Sequence, residues 1–473
     1  MRMLLGENWV DRAPQMDVRD PQDGRLIDRV PKATLLDVEL ALSVAWKARR
    51  IARALPTHER VQVLSLAAEL IGGRQEMFAR TIASEGIKTI REARKEAARC
   101  AATLRLCAEE ARRLGGEIVN FDQRPGSEGR IGYWTREPVG VIVAITPFND
   151  PLNLVAHKVG PAIAAGNAVI VKPHEQTPLS ALGLAEVLRE AGLPPGVLQV
   201  LTGDGTEIGP ALVSDPRVRM VSFTGGVGTG QQIARLAGLK RLAMELGSNC
   251  PTLVMDDADL DLAVPSILSG AYWAAGQNCL HVQRVLVQDA VYAEVRSRLV
   301  EGARGYRVGD KLSEDTDMGP LVSEVSARRV ETLVQEAVTA GATLLTGGTR
   351  DGAFFAPTLV ENVAGDLRLY QEEVYGPVTV LERVDDYDEA VRRANSVSYG
   401  LQGAIFTGNV NLAFRAVRDL DCGAVIINDS TDYRVDGMPF GGVKDSGLGR
   451  EGVQFTVREM SEVKLACFRV TPA

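Results

Sequence analysis

VGVIVAITPFND, residues 139–150, decides the fold. Its first eight residues form an unbroken, largely β-branched apolar run, and the run stops at a Pro and an Asn. The same rhythm returns in NAVIVKP (167–173), GVLQVLTG (196–203) and VRMVSFTG (218–225). Between these runs lie stretches with helical apolar spacing: LNLVAHKVGPAIAAG (152–166), LSALGLAEVLREAG (179–192) and EIGPALVSD (207–215). Strands apolar on both faces, alternating with helices, predict a parallel sheet covered on both sides. A second series follows in TLVMDD (252–257), RVLVQD (284–289), TVLERV (379–384), GAIFTG (403–408) and GAVIIND (423–429). The class is therefore α/β with two domains, dividing near Gly247.

The first third of the chain reads helical. One run, 58–86, follows an N-cap at Pro56–Thr57; another, 90–116, stops at Gly115–Gly116. The charged run Arg91–Arg99 reads as a solvated face, with Cys100 and Cys107 on its core side. GRIGYWTREPVG (129–140) reads as an extended amphipathic hairpin arm.

A chain of 473 residues needs more than one core. Its 45% hydrophobic and 24% charged content match a soluble globular protein, and a net charge of −8 argues against a nucleic-acid partner. No run of about 20 apolar residues predicts a membrane span. The six cysteines show neither CxxC pairs nor zinc-ligand spacing, so no metal is expected. Without a secretory leader at the start, this usage predicts a reducing cytoplasm.

Ligands of open parallel sheets bind at the carboxyl ends of strands. FTGGVGTGQQI (223–233) follows one such end, and its Gly225, Gly226, Gly228 and Gly230 do not satisfy GxGxxG. By itself it is either a tight turn or a phosphate loop. Lys172 and Glu175, one strand earlier, are either a ribose site or a loop charge pair. Asn149 could start a turn, Glu245 could be a buried carboxylate paired with an Arg, and Glu373 could be surface charge.

Seven motifs in order, TPFNDPLN (146–153), VKPHEQTP (171–178), FTGGVGTG (223–230), MELGSNCP (244–251), GQNCLHVQR (276–284), EEVYGPV (372–378) and PFGGVKDSG (439–447), change the odds. In this order and spacing the chain, from about residue 5 to 468, resembles the aldehyde dehydrogenase superfamily. The tail at 427–452, INDSTDYRVDGMPFGGVKDSGLGREG, is similar to the branch holding lactaldehyde, non-phosphorylating glyceraldehyde-3-phosphate and phosphonoacetaldehyde dehydrogenases. The resemblance implies two Rossmann-like parallel-sheet domains plus a small β oligomerisation arm. It places a dinucleotide-binding domain at 1–118 and 139–246, a catalytic domain at 247–447, and the arm at 119–138 and 448–473.

The same resemblance makes Cys279 the nucleophile, Asn149 the oxyanion donor together with the Cys279 N–H, and Glu245 the base that activates water. A Glu at 245 favours release of a free acid over transfer to coenzyme A. The implied cofactor site is Thr146, Pro147, Phe148, Lys172, Glu175, Gly205, Phe223, Thr224, Gly225, Gly226, Gly230, Leu246, Gly247, Glu373 and Tyr375. Glu175 favours NAD because a carboxylate repels a 2′-phosphate, though a rotated Glu tolerates NADP. The implied substrate site is Asp150, Asn153, His157, Asn278, Leu280, Arg434 and Phe440. Arg434 either grips an anionic tail or pairs with Asp432 or Asp436. Asp150 and Asn278 depart from the phosphonate-binding pattern, and Asp150 repels an anion unless Arg434 neutralises it. His281, two residues past Cys279, also admits a Cys–His hydrolase, a reading that leaves the dinucleotide motifs without a purpose.

The expected function is NAD(P)-dependent oxidation of a small polar aldehyde to its acid by a homodimer or homotetramer. The alternatives are a semialdehyde dehydrogenase for an anionic aldehyde and a catalytically idle family member that binds or scaffolds.

Overall fold

Five apolar strands run parallel in a first sheet, in the spatial order Leu198–Val200, Ala168–Lys172, Val141–Ile145, Met220–Thr224, Arg241–Glu245. The computed structural model describes residues 1–470. Antiparallel additions close both edges: Met3–Leu5 with Asn8–Val10 at one, and Gly447–Leu448 at the other. The strands at 141–145, 168–172 and 220–224 are buried almost throughout, as continuous apolar runs require. Separate apolar clusters cover the two faces. The chain steps outward from Val141–Ile145 in both directions, so strand order reverses there. The crevice at the carboxyl ends of Val141–Ile145 and Met220–Thr224 is the topological switch point.

The second sheet has the order Thr343–Thr346, Thr358–Glu361, Val378–Val384, Val282–Gln288, Cys250–Val254, Gln402–Phe406, Ala424–Ile427. Only Thr343–Thr346 is antiparallel. Residues 246–249 link the carboxyl end of Arg241–Glu245 to the amino end of Cys250–Val254. Cys279 also precedes its strand, Val282–Gln288. The carboxyl edge of the first sheet thus meets the amino edge of the second.

The expected long helix at 58–86 is two helices, Thr57–Gly73 and Gln75–Glu85, broken at Arg74 after Gly72–Gly73. Pro56 holds the N-cap position of the first but makes no side-chain cap. The next helix, Ile90–Arg113, starts on a capping box: the Thr89 hydroxyl accepts from the Glu92 N–H while Glu92 accepts from the Thr89 N–H. The 129–140 stretch is one strand, Arg130–Pro138, paired with Glu117–Val119 and, over nine residues, with Ser461–Arg469.

Part of the expected arm lies elsewhere. Gly447–Leu448 joins the first sheet, and the helix Val453–Glu459 packs on Ile90–Arg113 and on Asn153–Ala164. Val453 and Val457 are buried among that domain's core residues, so apolar burial draws 448–460 away from the arm. Residues 471–473, also assigned to the arm, lie outside the described residues.

Candidate active site

A cavity of about 800 Å³ opens where the two sheet edges meet, and its lining comes from both. One half is built by the first sheet: Thr146, Pro147, Phe148, Lys172, Glu175, Gly205, Phe223, Thr224, Gly225, Gly226, Leu246 and Gly247. Gly226 is the N-cap of the helix Val227–Ala237 and faces open space, so the first N–H groups of that helix are accessible to an anion. Gly230 does not line the cavity. A Cβ there would come within 2.6 Å of Leu246, so this glycine seats helix against strand.

Lys172 donates to Glu175 at 2.8 Å, with Lys172 buried and Glu175 open to solvent. The Phe148 ring meets His174 and Tyr375 edge-on, at centroid distances of 5.2 and 5.7 Å. Glu373 reaches in from the second domain and accepts from the Ser248 N–H at 2.8 Å. Gly247 leaves room for it, because a Cβ would lie 2.5 Å from a Glu373 carboxylate oxygen and displace that side chain. Burial pushes the Glu373 carboxyl up to about 7, against the pull of the Ser248 N–H and Arg329. The hydroxyls of Thr146 and Thr224 are buried without a partner among the described residues. A free helix N-terminus, a surface carboxylate at 175, an inner carboxylate at 373 and unsatisfied hydroxyls are the donor set that a dinucleotide with two riboses fits.

The other half holds Asn149, Asp150, Glu245, Asn278, Cys279, Leu280, Arg434 and Phe440. Cys279 sits in a tight loop in which the Leu280 N–H bonds the Asn278 side chain and the His281 N–H bonds the Asn278 carbonyl. The Cys279 N–H has no protein acceptor among the described residues, so it is free for a ligand. Burial pushes the thiol up, with Glu373, Cys250 and Glu245 adding to this, and Arg434 opposes; Cys279 is partly exposed. Asn149 is buried, and its Oδ1 has no partner among the described residues.

Glu245 closes its strand opposite Thr224 and Gly447. Burial pushes its carboxyl well above the ordinary range, and Glu451 adds to this; Arg434, Lys158 and Arg450 oppose it. Its Oε2 is buried and unpartnered among the described residues. Arg434 pairs with neither Asp432 nor Asp436. It donates to Glu451 at 2.9 Å and stacks over the Phe440 ring at 3.9 Å.

Asn153 and His157 do not line the cavity. Both are fully buried and bind Asp436, His157 Nε2 at 2.9 Å and Asn153 Nδ2 at 3.3 Å. Burial keeps His157 below its usual pKa. His281 is likewise buried, held down to about 3, and outside the cavity, so no Cys–His pair forms at the thiol.

Asp150 is neutralised without Arg434. Lys88 is in ion contact with it, and Arg99 lies 3.5 Å away. Arg99 comes from the Arg91–Arg99 run that read as a solvated face, and Lys88 lies just before it. Glu92 accepts from the Ala274 N–H, across the domain boundary, and Glu96 accepts from the N–H groups of Leu152 and Asn153. Glu92, Glu96, Arg99 and Thr103 fall on one helical face, at spacings of three and four. That periodicity was visible, but only the loops packed against it show that the charges are structural.

A family model described as the aldehyde dehydrogenase family matches residues 9–466. The chain belongs to that family. It is similar to the aspartate-semialdehyde dehydrogenase 1 of Pseudomonas canavaninivorans, 49% identical over 457 residues and 97% of each chain. It is similar to the 3-sulfolactaldehyde dehydrogenase of Priestia aryabhattai, 44% identical over 98% of this chain and 97% of the other. The crystal structure of the NADP-dependent glyceraldehyde-3-phosphate dehydrogenase of Bacillus halodurans, complexed with NADP, superposes with a TM-score of 0.97 at 37% identity, covering 99% of each chain. This aldehyde dehydrogenase is thus an NAD(P)-linked oxidoreductase built of two Rossmann-like domains. Sequence reasoning missed several of its cavity residues, among them Lys95, Ser269, Trp273, Asp432 and Glu451. They sit on helices and loops outside the seven motifs.

Proposed function

We propose that this aldehyde dehydrogenase oxidises a small polar aldehyde to its free acid through Cys279. The observation that carries the reading is the convergence, in one cavity, of a thiol with an unengaged backbone N–H, a buried Asn and a proton-hungry Glu. The Cys279 thiolate adds to the aldehyde carbon and gives a thiohemiacetal. The Cys279 N–H and the Asn149 carboxamide donate to the oxygen as it gains charge, where one such donor is worth about 100- to 1,000-fold in rate. Bound NAD(P) supplies the hydride acceptor that turns this adduct into a thioester. Glu245 takes a proton from water, the hydroxide adds to the thioester, and the acid leaves as the Cys279 thiolate is restored.

The first-sheet half would hold the cofactor, with the pyrophosphate at Gly225–Gly226, the adenosine ribose at Lys172 and Glu175, and the nicotinamide ribose at Glu373. Glu175 beside Lys172 supports NAD as the preferred form. Two relatives are named for aldehydes with charged tails, and the neutralised Asp150 removes the obstacle to such substrates. The domains would divide near Gly247, with residues 448–460 counted with the first. Apolar side chains exposed on the three-stranded sheet support a homo-oligomer, and six unpaired cysteines support a reducing compartment. No helix among the described residues is long and apolar enough to cross a membrane.

The test is NADH formation from NAD and small aldehydes, without coenzyme A or phosphate. Turnover by the native chain with none by Cys279→Ala is expected; full activity in that variant would overturn the assignment of the nucleophile.

A further inference from the structure

The substrate side of the cavity carries charges of both signs, and most are already matched. Asp150 is held by Lys88 and Arg99, and Arg434 by Glu451. On the substrate side Glu245 is assigned to the chemistry above, and two other charged side chains lining the cavity, Lys95 and Asp432, make no ion pair within 4 Å among the described residues. Lys95 stands on the helix Ile90–Arg113 with its ammonium 5.0 Å from the centre of the Trp273 ring. Asp432 lies in the loop after Ala424–Ile427 and is largely enclosed. Burial pushes its carboxyl up and Asp429 adds to this, while the Ser430 hydroxyl and the charge of Lys95 oppose it.

A carboxylate withdrawn from water without a cation is costly, and a ligand cation relieves that cost. Lys95 offers the opposite charge at the same mouth. An aldehyde with only an anionic tail would satisfy Lys95 and face repulsion from Asp432. One with only a cationic tail would do the reverse. A tail with both charges satisfies both groups, which is the complementarity that sets specificity.

We propose that Lys95 and Asp432 select aldehydes with a zwitterionic tail, the carboxylate against Lys95 and the ammonium against Asp432: short semialdehydes of α-amino acids. The inference rests on the aldehyde dehydrogenase reading above and adds the class of substrate. Trp273 and Leu280 line the same cavity, which suits a short carbon chain rather than a further polar group.

Four aldehydes that differ by one charge at a time test it: aspartate semialdehyde, succinic semialdehyde, 3-aminopropanal and propanal. The expected kcat/KM for aspartate semialdehyde exceeds those for the two singly charged aldehydes by about tenfold or more, the scale of one charge-assisted contact. Asp432→Asn should cut the advantage over succinic semialdehyde about tenfold, and Lys95→Met the advantage over 3-aminopropanal. A succinic semialdehyde rate equal to or above that of aspartate semialdehyde would overturn the proposal. So would variants that lower all four rates by one factor, since that marks Lys95 and Asp432 as structural, paired with each other across the mouth.

A second measurement needs no turnover: calorimetric binding of L-aspartate, succinate and β-alanine to the Cys279→Ser protein. L-Aspartate should bind tightest, and this preference should weaken in the Asp432→Asn background; equal affinities would refute the mouth assignment. Loss of NADH formation with every aldehyde, alongside selective L-aspartate binding, would sink the reaction and keep the mouth. Turnover of all four without discrimination would do the opposite.

Discussion

At the scale of single residues, the site works by placing charge where water cannot soften it. Glu245 is the clearest case. Buried beside Glu451, it holds its proton to a higher pH than a free carboxyl, and Arg434, Lys158 and Arg450 oppose the rise. A base must be deprotonated, so the sign is fixed: thioester hydrolysis is full above the raised pKa and is lost as pH falls through it. The acid limb of kcat should therefore lie well above the usual carboxylate range, and a limb near pH 4 would exclude Glu245. Glu245→Gln should release one burst of NADH per site and then turn over about 100-fold more slowly; stopped-flow absorbance reads both phases. The motif MELG marked this residue, but its raised pKa comes from burial and from Glu451, 206 positions away in the chain.

At the scale of elements, the decisive feature is the bend that presents the thiol. The helix Leu260–Tyr272 ends, and Ala274, Ala275 and Gly276 follow with φ of 50°, 53° and 68°. Left-handed alanines cost about 1–2 kcal/mol each, so the turn must be imposed from outside. Glu92 grips the Ala274 N–H at 2.8 Å. Gln277 spans the bend, donating to the Ala274 and Pro320 carbonyls and accepting from the Val322 N–H. Gly276 lies so close to Gly376 that a Cβ would come within 2.2 Å of its carbonyl oxygen. Gly276→Ala should therefore displace Cys279 and lower kcat/KM at least tenfold while circular dichroism stays native; unchanged kinetics would mean that the bend does not position the thiol. The GQNC motif carried Gly276, Gln277 and Cys279. It did not carry Glu92, because a capping residue on a charged helix looks the same whether or not a loop from another domain rests on it.

At the scale of the whole molecule, two sheets meet edge to edge and a third, small sheet stands apart. Arg130–Pro138 and Ser461–Arg469 leave Ile131, Tyr133 and Phe468 about half exposed or more on one face of that sheet, and Val463 and Leu465 on the other. With the face of Ile131 and Phe468 proposed as the contact between copies, the double substitution Ile131→Glu, Phe468→Glu should shift the native mass, read by light scattering, toward the monomer. A mass unchanged from the parent would exclude this face as the contact.

Much of this molecule was legible in its sequence because strands buried on both faces leave continuous apolar runs and because glycines at close approaches have no substitute. The two α/β layers follow from such local signals; the thiol at 279, the carboxylates at 245 and 373 and the loop at 225–226 were picked out only by seven motifs whose order and spacing resemble the aldehyde dehydrogenase superfamily. Tertiary structure alone decided the rest. It set Gly230 against Leu246, withdrew Asn153 and His157 to hold Asp436, turned Arg434 to Glu451, and returned 448–460 to the first domain. It also made Glu92 and Glu96 of the 91–99 run into supports for loops and left Lys95 and Asp432 on the substrate side without an ion pair. The reason is physical. Periodicity and composition report whether a residue is buried, whereas pairing among charges depends on which groups the fold brings within a few ångströms, and that distance is not a property of any stretch of chain.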